Sequence, residues 1–315
     1  MRIVFMGTPQ FAVPSLRSVA ANFHVVGVVT RPDRPAGRGR SLRSPPVREA
    51  ADELGLPCVQ PARVSRPDSL KALRGWDPEV IVVAAFGEIL NREVLALPPL
   101  GCLNVHASLL PRWRGASPIQ SAILHGDTET GITLMRMDEG LDTGPIVARA
   151  RTPIGPVETA GEVEARLAQL GAKLLVETLP LYSSGEVVPR PQPDTGVTSA
   201  PRLRKDSGRL DFGLPATQLE RQVRAFEPWP TSFFEWQNKR IVVRRATAAA
   251  GAVSRIGRVV AHQGRPAVVT GEGWLILEGI QPAGANSMSG EDFMRGARNF
   301  LGADLIEASP SPADA

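Results

Sequence analysis

Apolar strand-like runs alternate with helix-like stretches through the first half of the chain, and this alternation most constrains the fold. The strand-like runs are Ile3–Met6, Phe23–Thr30, Val80–Ala85, Gly101–His106 and Ile132–Met137. Each has the length of a strand, and the stretches between them have the apolar spacing of amphipathic helices. The pattern predicts an α/β fold, a doubly wound and mostly parallel sheet, with ligands bound beyond the carboxyl ends of its strands.

The pattern changes after residue 187. Residues 187–207 contain four prolines and no periodicity, which predicts a linker. A helix and five short strand-like pieces follow, and they predict a small OB-like β-barrel. Phe226, Trp229 and Trp236 are expected in its core. The predicted division is a catalytic domain at 1–188, a linker at 189–207, a C-terminal domain at 208–307 and a disordered tail at 308–315.

Composition narrows the functional classes. No apolar run is long enough to cross a bilayer, and no cleavage signal follows the first strand-like run, so we expect a cytoplasmic protein with no membrane partner. Cys58 and Cys102 match neither metal nor disulfide spacing, which favours a reducing compartment and predicts no metal site. The turn Gly7-Thr8-Pro9-Gln10-Phe11-Ala12 lacks the dinucleotide-binding glycines, and no P-loop occurs.

Basic residues are concentrated in two parts of the chain, whose net charge is +4. The loop from Arg31 to Pro46 carries five arginines against Asp33, and its four prolines and two glycines predict no regular structure. Residues 209–265 hold ten Arg or Lys against four Asp or Glu. This imbalance favours a polyanionic partner, because arginines on a projecting loop suit phosphates and unpaired bases. A solvated surface in an arginine-rich proteome and a disordered basic loop are the alternatives.

An amide and an imidazole are predicted at one strand end. Asn104 and His106 alternate with apolar residues, so they share one face where the strand ends. An amide donor beside an imidazole suits a reaction in which a carbonyl oxygen becomes negative while a proton moves. Taken singly, Asn104 could cap a turn and His106 could be a buried histidine with satisfied hydrogen bonds. Asp142 could belong to an ordinary turn, and its position 36 residues after His106 does not indicate proximity.

Five segments together carry a resemblance to a known family. They are Met6–Phe11, Arg31–Arg40, Asn104–Gly115, Met137–Gly144 and Arg224–Pro230. On these segments the chain resembles the methionyl-tRNA formyltransferases, a family of folate-dependent formyltransferases. The Asn-x-His pattern with a distant Asp is shared by folate-dependent formyltransferases in general. The Arg-Pro-Asp-Arg-Pro loop and the Pro-Trp-Pro segment narrow the resemblance to the tRNA enzymes.

The resemblance implies a Rossmann-like domain that transfers the formyl group of 10-formyltetrahydrofolate to the α-amino group of methionyl initiator tRNA. It implies that Asn104 and His106 stabilise the oxyanion and that Asp142 assists proton transfer. We also expect a monomer. The implied folate contacts are Ser108, Leu109, Leu110, Pro111, Phe86, Gly87, Ile89, Leu90, Asp138, Glu139, Gly140 and Leu141. The expected tRNA contacts are Arg31, Arg34, Arg38, Arg40, Arg43, Arg204 and Lys205, with Arg38 as the critical one.

Two positions depart from the family's usual pattern. Phe86 stands where Tyr is common, which removes a hydroxyl from the implied pocket. Asn91 stands where Pro is common, which removes a rigid turn.

Two other functions share parts of the pattern. Formyl transfer to a small amine, or hydrolysis of formylfolate, would need neither the Arg31–Arg43 loop nor a basic second domain. A non-catalytic RNA-binding protein with an inactive folate domain is the third alternative, and the intact Asn104, His106 and Asp142 disfavour it.

Overall fold

The computed structural model describes residues 1–36 and 41–306, and the chain forms two compact units. The first unit contains residues 1–119, 129–153 and 162–201. The second contains residues 120–128, 154–161 and those from 202 onward. The predicted division at residues 188 and 208 stays a prediction, and the predicted tail at 308–315 lies outside the described residues.

A seven-stranded sheet forms the centre of the first unit. Strands in this part of the chain are β1 Arg2–Gly7, β2 His24–Val29, β3 Arg34–Ala36, β4 Ser41–Arg43, β5 Cys58–Val59, β6 Val80–Ala84, β7 Cys102–His106, β8 Arg114–Gly115, β9 Glu129–Arg136, β10 Ile146–Pro153 and β11 Ser199–Ala200. The sheet has the order β10-β9-β7-β6-β1-β2-β5. Neighbours from β5 to β7 are parallel, whereas β9 and β10 are antiparallel additions. Two short pairs, β3 with β4 and β8 with β11, lie outside it.

Helices alternate with these strands along the chain. They are α1 Val13–Asn22, preceded by a 3-10 turn at Gln10–Ala12, α2 Pro46–Glu53, α3 Pro67–Trp76, α4 Arg92–Leu95, α5 Pro118–Leu124 and α6 Ala160–Ser183. Prolines in the first turns of α1, α2 and α3 suit those positions, because the first backbone N–H groups of a helix have no partner within it.

Apolar side chains cover both faces of the central sheet. On one face Val4 and Ile81 share a core cluster with Leu73 of α3. On the other face α6 approaches closely, and a Cβ on its Gly171 would lie 2.8 Å from Val105 Cγ1. Helices therefore pack on both faces, which confirms the predicted doubly wound sheet. Because side chains alternate along a strand, Asn104 and His106 point away from the α6 face.

Strand β10 and the Arg31–Pro46 loop differ from the sequence prediction. Strand β10 is missing from the sequence prediction because small and charged residues alternate in it, so it lacks an apolar signal. The prediction that the Arg31–Pro46 loop lacks regular structure is wrong, since β3 and β4 pair there as an antiparallel hairpin. Pro35 lies within β3, which is possible because a two-stranded ribbon leaves one side of each strand unpaired.

The second unit is built on an antiparallel sheet. Its elements are a 3-10 turn at Lys205–Gly208, α7 Ala216–Ala225, β12 Ser232–Trp236, β13 Lys239–Ala249, β14 Val259–His262, β15 Arg265–Val269, β16 Trp274–Pro282, β17 Met288–Ser289 and α8 Gly290–Gly296. The strands have the order β12-β13-β16-β15-β14, with β17 on β16. A parallel α/β unit followed by an antiparallel β unit confirms the predicted fold class.

An aromatic cluster fills the core of the second unit. Phe293 and Trp236 both contact the ring of the fully buried Phe300. Phe226 is also buried, as expected. The expectation for Trp229 is wrong, because half of its surface is exposed.

We predict that the thiol of Cys102, two residues before Asn104, does not react with thiol reagents in the folded protein. Cys102 is 1% exposed and burial raises its pKa to about 12. Burial also raises the pKa of the half-buried Cys58. Because the thiolate is the reactive form, native Cys58→Ser protein should not react with a thiol reagent near pH 8. The same protein in denaturant should react fully, and rapid labelling of the native form would place β7 at the surface.

Candidate active site

The three residues implied as catalytic lie together at the carboxyl end of β7. Asn104 Nδ2 is 3.4 Å from Asp142 Oδ1. His106 Nδ1 is 3.6 Å from Asp142 Oδ2, and their side chains are only 6% and 13% exposed. A carboxylate that contacts both an amide donor and an imidazole forms a group that can stabilise a developing oxyanion and move a proton.

The winding of the sheet predicts a ligand crevice beside this cluster. After β1 the chain adds β2 and β5 on one side of that strand, and it then adds β6 and β7 on the other side. The strand order therefore switches between β1 and β6. Open α/β sheets bind ligands beyond the carboxyl ends of the strands at such a switch. Thr8, after β1, donates its hydroxyl to the carbonyl of Phe86, after β6, at 2.9 Å. This bond joins the two loops that border the crevice.

Asp142 reaches the cluster because its loop folds back over the sheet. Strand β9 runs antiparallel to β7 and ends with Arg136 opposite Leu103, away from the carboxyl end of β7. The loop then comes back very close to the end of β9, since a Cβ at Gly144 would lie 1.9 Å from the carbonyl oxygen of Arg136. Asp142 has a left-handed backbone with φ of 53°. Aspartate tolerates this conformation better than most side chains do.

One ring nitrogen of His106 is already engaged by the backbone. Nε2 lies 3.0 Å from the carbonyl oxygen of Trp113. A carbonyl oxygen only accepts hydrogen bonds, so Nε2 carries a proton in this arrangement. Nδ1 is therefore the nitrogen that faces Asp142 without a proton.

Backbone and side-chain donors hold Asp142 on several sides. The N–H of Gly115 donates to Asp142 Oδ2 at 2.8 Å. Gln192 Nε2 donates to the carbonyl oxygens of Asp142 and Gly144 at 2.7 and 2.8 Å. Sequence reasoning did not identify Gln192, because it belongs to the proline-rich segment and no local pattern marks it.

The implied folate segment after β7 is a turn fixed by one threonine. Thr133 Oγ1 donates to the carbonyl of Ser108 and accepts the N–H of Leu110, at 2.7 and 3.1 Å. Leu110 is fully buried, whereas Leu109 and Pro111 are half-buried. The turn thus offers backbone atoms and two partly exposed apolar side chains to a ligand.

The other implied folate residues divide into core and surface. Phe86 and Leu90 belong to the core and are 2% and 3% exposed, so their side chains are closed to a ligand in this structure. Ile89 and Leu141 are 80% and 62% exposed. Exposed apolar side chains beside a polar site are typical of a surface that binds an apolar ligand. Gly87 has a φ of 80°, a backbone conformation that favours glycine.

Local hydrogen bonds explain two further positions. Asp138 Oδ1 accepts the N–H of Gly140 and the hydroxyl of Thr143 at 3.0 and 2.7 Å, so it shapes the loop, while Glu139 is exposed. Asn91, where Pro is common in the family, accepts the N–H of Val94 at 3.1 Å. It therefore caps the start of α4.

The described residues expected to contact tRNA have different surroundings. Arg34 and Arg43 are exposed and lie opposite each other in the hairpin. Arg31 is only 21% exposed and forms an ion pair with Glu88. In the second unit Arg204 and Lys205 are exposed. Arg38 and Arg40 lie outside the described residues.

Neither a metal site nor a membrane-spanning helix is found in residues 1–36 and 41–306. Within those ranges no three His, Cys, Asp or Glu side chains are grouped as a metal would need. No helix there is both long and apolar enough to cross a bilayer.

Comparisons with known proteins agree over both parts of the chain. Residues 1–179 match the formyl transferase family, and residues 202–298 match the formyl transferase C-terminal domain. The methionyl-tRNA formyltransferase of Myxococcus xanthus is 50% identical over 94% of this chain and 95% of its own length. The enzyme of the same name from Halorhodospira halophila is also 50% identical, over 94% of this chain and 96% of its own.

A solved structure shows the same fold at much lower identity. The sugar 3N-formyl transferase WlaRD, crystallised in the presence of dTDP and 5-N-formyl-THF, has a TM-score of 0.66 and 17% identity. The match covers 91% of this chain and 99% of WlaRD. With two matching domains and relatives at half identity over nearly the whole length, the chain belongs to the formyl transferase family.

Proposed function

We propose that this enzyme transfers the formyl group of 10-formyltetrahydrofolate to the α-amino group of methionyl initiator tRNA. The observation that carries the proposal is the contact between Asp142 and both Asn104 and His106. Relatives that are half identical over nearly the whole chain are methionyl-tRNA formyltransferases, which supports the choice of substrates.

Transfer requires a neutral amine, although a free α-amino group has a pKa of about 7.7–8.0. The reaction forms a bond between that nitrogen and the formyl carbon and breaks the bond from the carbon to the folate nitrogen. The proton lost by the amine finally reaches the folate nitrogen. The site therefore has to stabilise an oxyanion and carry one proton.

The geometry suggests how the side chains divide this work. Asn104 donates its amide N–H to the formyl oxygen as that oxygen becomes negative. His106, with a proton fixed on Nε2 by Trp113, accepts the amine proton at Nδ1. Asp142 stabilises the resulting imidazolium, which then donates a hydrogen bond to the oxyanion and returns the proton to the departing nitrogen. A water molecule between Asp142 and the amine is the alternative route for the same proton.

The crevice is suited to a folate. A flat heterocycle needs an apolar slot bordered by backbone donors and acceptors. The exposed Ile89 and Leu141 and the backbone of the Ser108–Pro111 turn supply these features. The crystallisation of WlaRD in the presence of 5-N-formyl-THF supports the same ligand class.

The hairpin is suited to a polyanion. Two like charges directly opposite each other in an antiparallel pair destabilise it. Arg34 and Arg43 are such a pair, and the structure gives neither of them an ion-pair partner among the described residues. A bound phosphate would relieve their repulsion. We assign Arg34, Arg43, Arg204 and Lys205 to tRNA binding, together with Arg38 and Arg40, and we assign Arg31 a supporting role through Glu88.

We further propose that the protein works as a monomer in the cytoplasm. The catalytic cluster lies within one chain, and both cysteines are free thiols, as a reducing compartment favours.

The test of the function is transfer of labelled formyl from 10-formyltetrahydrofolate to three acceptors. These are methionylated initiator tRNA, methionylated elongator tRNA and a dTDP-linked amino sugar. Preferential labelling of the initiator tRNA is expected. Preferential labelling of the sugar would replace the proposal with small-amine transfer, and release of formate without an acceptor would replace it with hydrolysis.

We predict that Asn104→Ala and His106→Ala each lower kcat by at least about 10²-fold, because each removes a donor to the oxyanion. Steady-state kinetics with both substrates saturating would measure the change. Asn22→Ala and His24→Ala are the matched controls, since both side chains are exposed and away from the crevice. Wild-type turnover in either site variant would remove the proposed mechanism.

We predict that replacing Arg34 and Arg43 together by Ala raises KM for the tRNA and leaves the affinity for folate unchanged. Each lost phosphate contact should also lower the slope of log affinity against log salt by about one. Arg17→Ala is the control, because its guanidinium pairs with Glu53 on the surface. Equal KM and salt slope in the double variant and the control would show that the hairpin does not touch tRNA.

A further inference from the structure

The proline-rich segment at residues 190–200, called the strap below, hydrogen-bonds to the backbone of the Asp142 loop and to the segment around β8 that contacts His106 and Asp142. We propose that Gln192 and Thr198 of the strap are positioning residues that hold Asp142 and His106 in their reactive arrangement. The inference rests on the proposed function for its kinetic consequences. Its geometry lies wholly within the first unit.

Gln192 fixes the backbone of the Asp142 loop. Its amide nitrogen donates to the carbonyl oxygens of Asp142 and Gly144, and its oxygen accepts from Arg114 Nη2 and Nε at 2.7 and 3.1 Å. Arginine can only donate and carbonyl oxygens can only accept, so these partners determine which way the amide points. All of its hydrogen-bonding capacity is used, and both bonds to the loop hold the strained left-handed turn at Asp142.

Thr198 fixes the carbonyl that engages His106. Thr198 Oγ1 accepts the N–H of Trp113 at 2.8 Å, and its carbonyl accepts the N–H of Arg114 at 2.9 Å. Trp113 has a φ of 64°, a left-handed conformation in which a bulky residue is strained. The strap therefore holds the peptide whose carbonyl oxygen lies 3.0 Å from His106 Nε2. Through that carbonyl it sets which ring nitrogen faces the substrate.

The strap also positions the Gly115 N–H, which donates to the Asp142 carboxylate. Strand β11 of the strap pairs with β8, and the N–H of Ala116 donates to the carbonyl of Ala200 at 2.8 Å. Between them Gly115 keeps its own N–H for Asp142 Oδ2. A Cβ at Gly115, whose φ is 121°, would lie 2.5 Å from the Ala200 oxygen. The strap thus holds the backbone of the Asp142 loop, the carbonyl that contacts His106 and the N–H that contacts the Asp142 carboxylate.

The kinetic test uses substitutions that keep side-chain volume and remove hydrogen bonds. Gln192→Met and Thr198→Val should each lower kcat at least about tenfold, because small misplacement of reacting groups is costly. KM for both substrates should stay within about threefold, since neither residue faces the substrate. Thr198→Ser should restore kcat by returning the hydroxyl. Thr195→Val, the same change at an exposed strap position, is the matched control.

A double-mutant cycle separates positioning from general loss of structure. If Gln192 acts through Asp142, Gln192→Met should have little further effect on kcat in an Asp142→Ala background. The same fold-loss in both backgrounds would overturn the proposal. Unchanged kcat in Gln192→Met, or no recovery in Thr198→Ser, would overturn it for the residue concerned.

Hydrogen exchange tests the strap without any substrate. In Gln192→Met the amides of Gly115 and Gly140 should exchange at least about tenfold faster than in Thr195→Val, because the loop loses two bonds. If the wild-type protein failed to formylate tRNA, the proposed function would fall while this result would still decide the role of the strap. Equal exchange rates in the two variants would overturn the positioning role.

Discussion

A single half-enclosed carboxylate organises this enzyme. Asp142 is the group on which Asn104, His106 and the N–H of Gly115 converge, and its side chain is only 13% exposed. A carboxylate withdrawn from water is costly unless donors replace the lost solvent. Asn104 of β7 and Gly115 of β8 supply those donors, and the same donors fix the carboxylate next to the imidazole. The bonds that stabilise the loop therefore also place the carboxylate beside the imidazole.

Left-handed backbone conformations occur in three of the segments that follow strands of the central sheet. Ala85, Trp113 and Asp142 all have left-handed backbones, and they lie in the segments that follow β6, β7 and β9. Such conformations cost roughly 1–3 kcal/mol each and persist only where the surroundings over-determine them. The strap supplies hydrogen bonds to two of these residues. Thr198 Oγ1 accepts the N–H of Trp113, and Gln192 Nε2 donates to the carbonyl of Asp142. The left-handed residues Trp113 and Asp142 direct a carbonyl oxygen and a carboxylate, respectively, at His106.

The basic residues serve two different purposes. Arg31 and Arg114 bind partners within the first unit, Glu88 and Gln192, and they support the loops of the site. Arg34 and Arg43 face each other on an exposed hairpin, an arrangement that suits an anion from outside. Counting charge along the sequence could not separate these groups, because the difference depends on which acceptor the fold brings within reach.

The sequence by itself determined five strands of the central sheet and the placement of two of the three candidate catalytic residues. Apolar periodicity is local, so it was sufficient to predict β1, β2, β6, β7 and β9 and to place Asn104 and His106 on one face at a strand end. Tertiary structure decided the rest. The fold-back that brings Asp142 to His106, the hairpin at Arg34, and the bonds of Gln192 and Thr198 all join residues that are not neighbours in the sequence. Such bonds leave no periodic signal, because each depends on one geometry of closure rather than on a repeated pattern of burial.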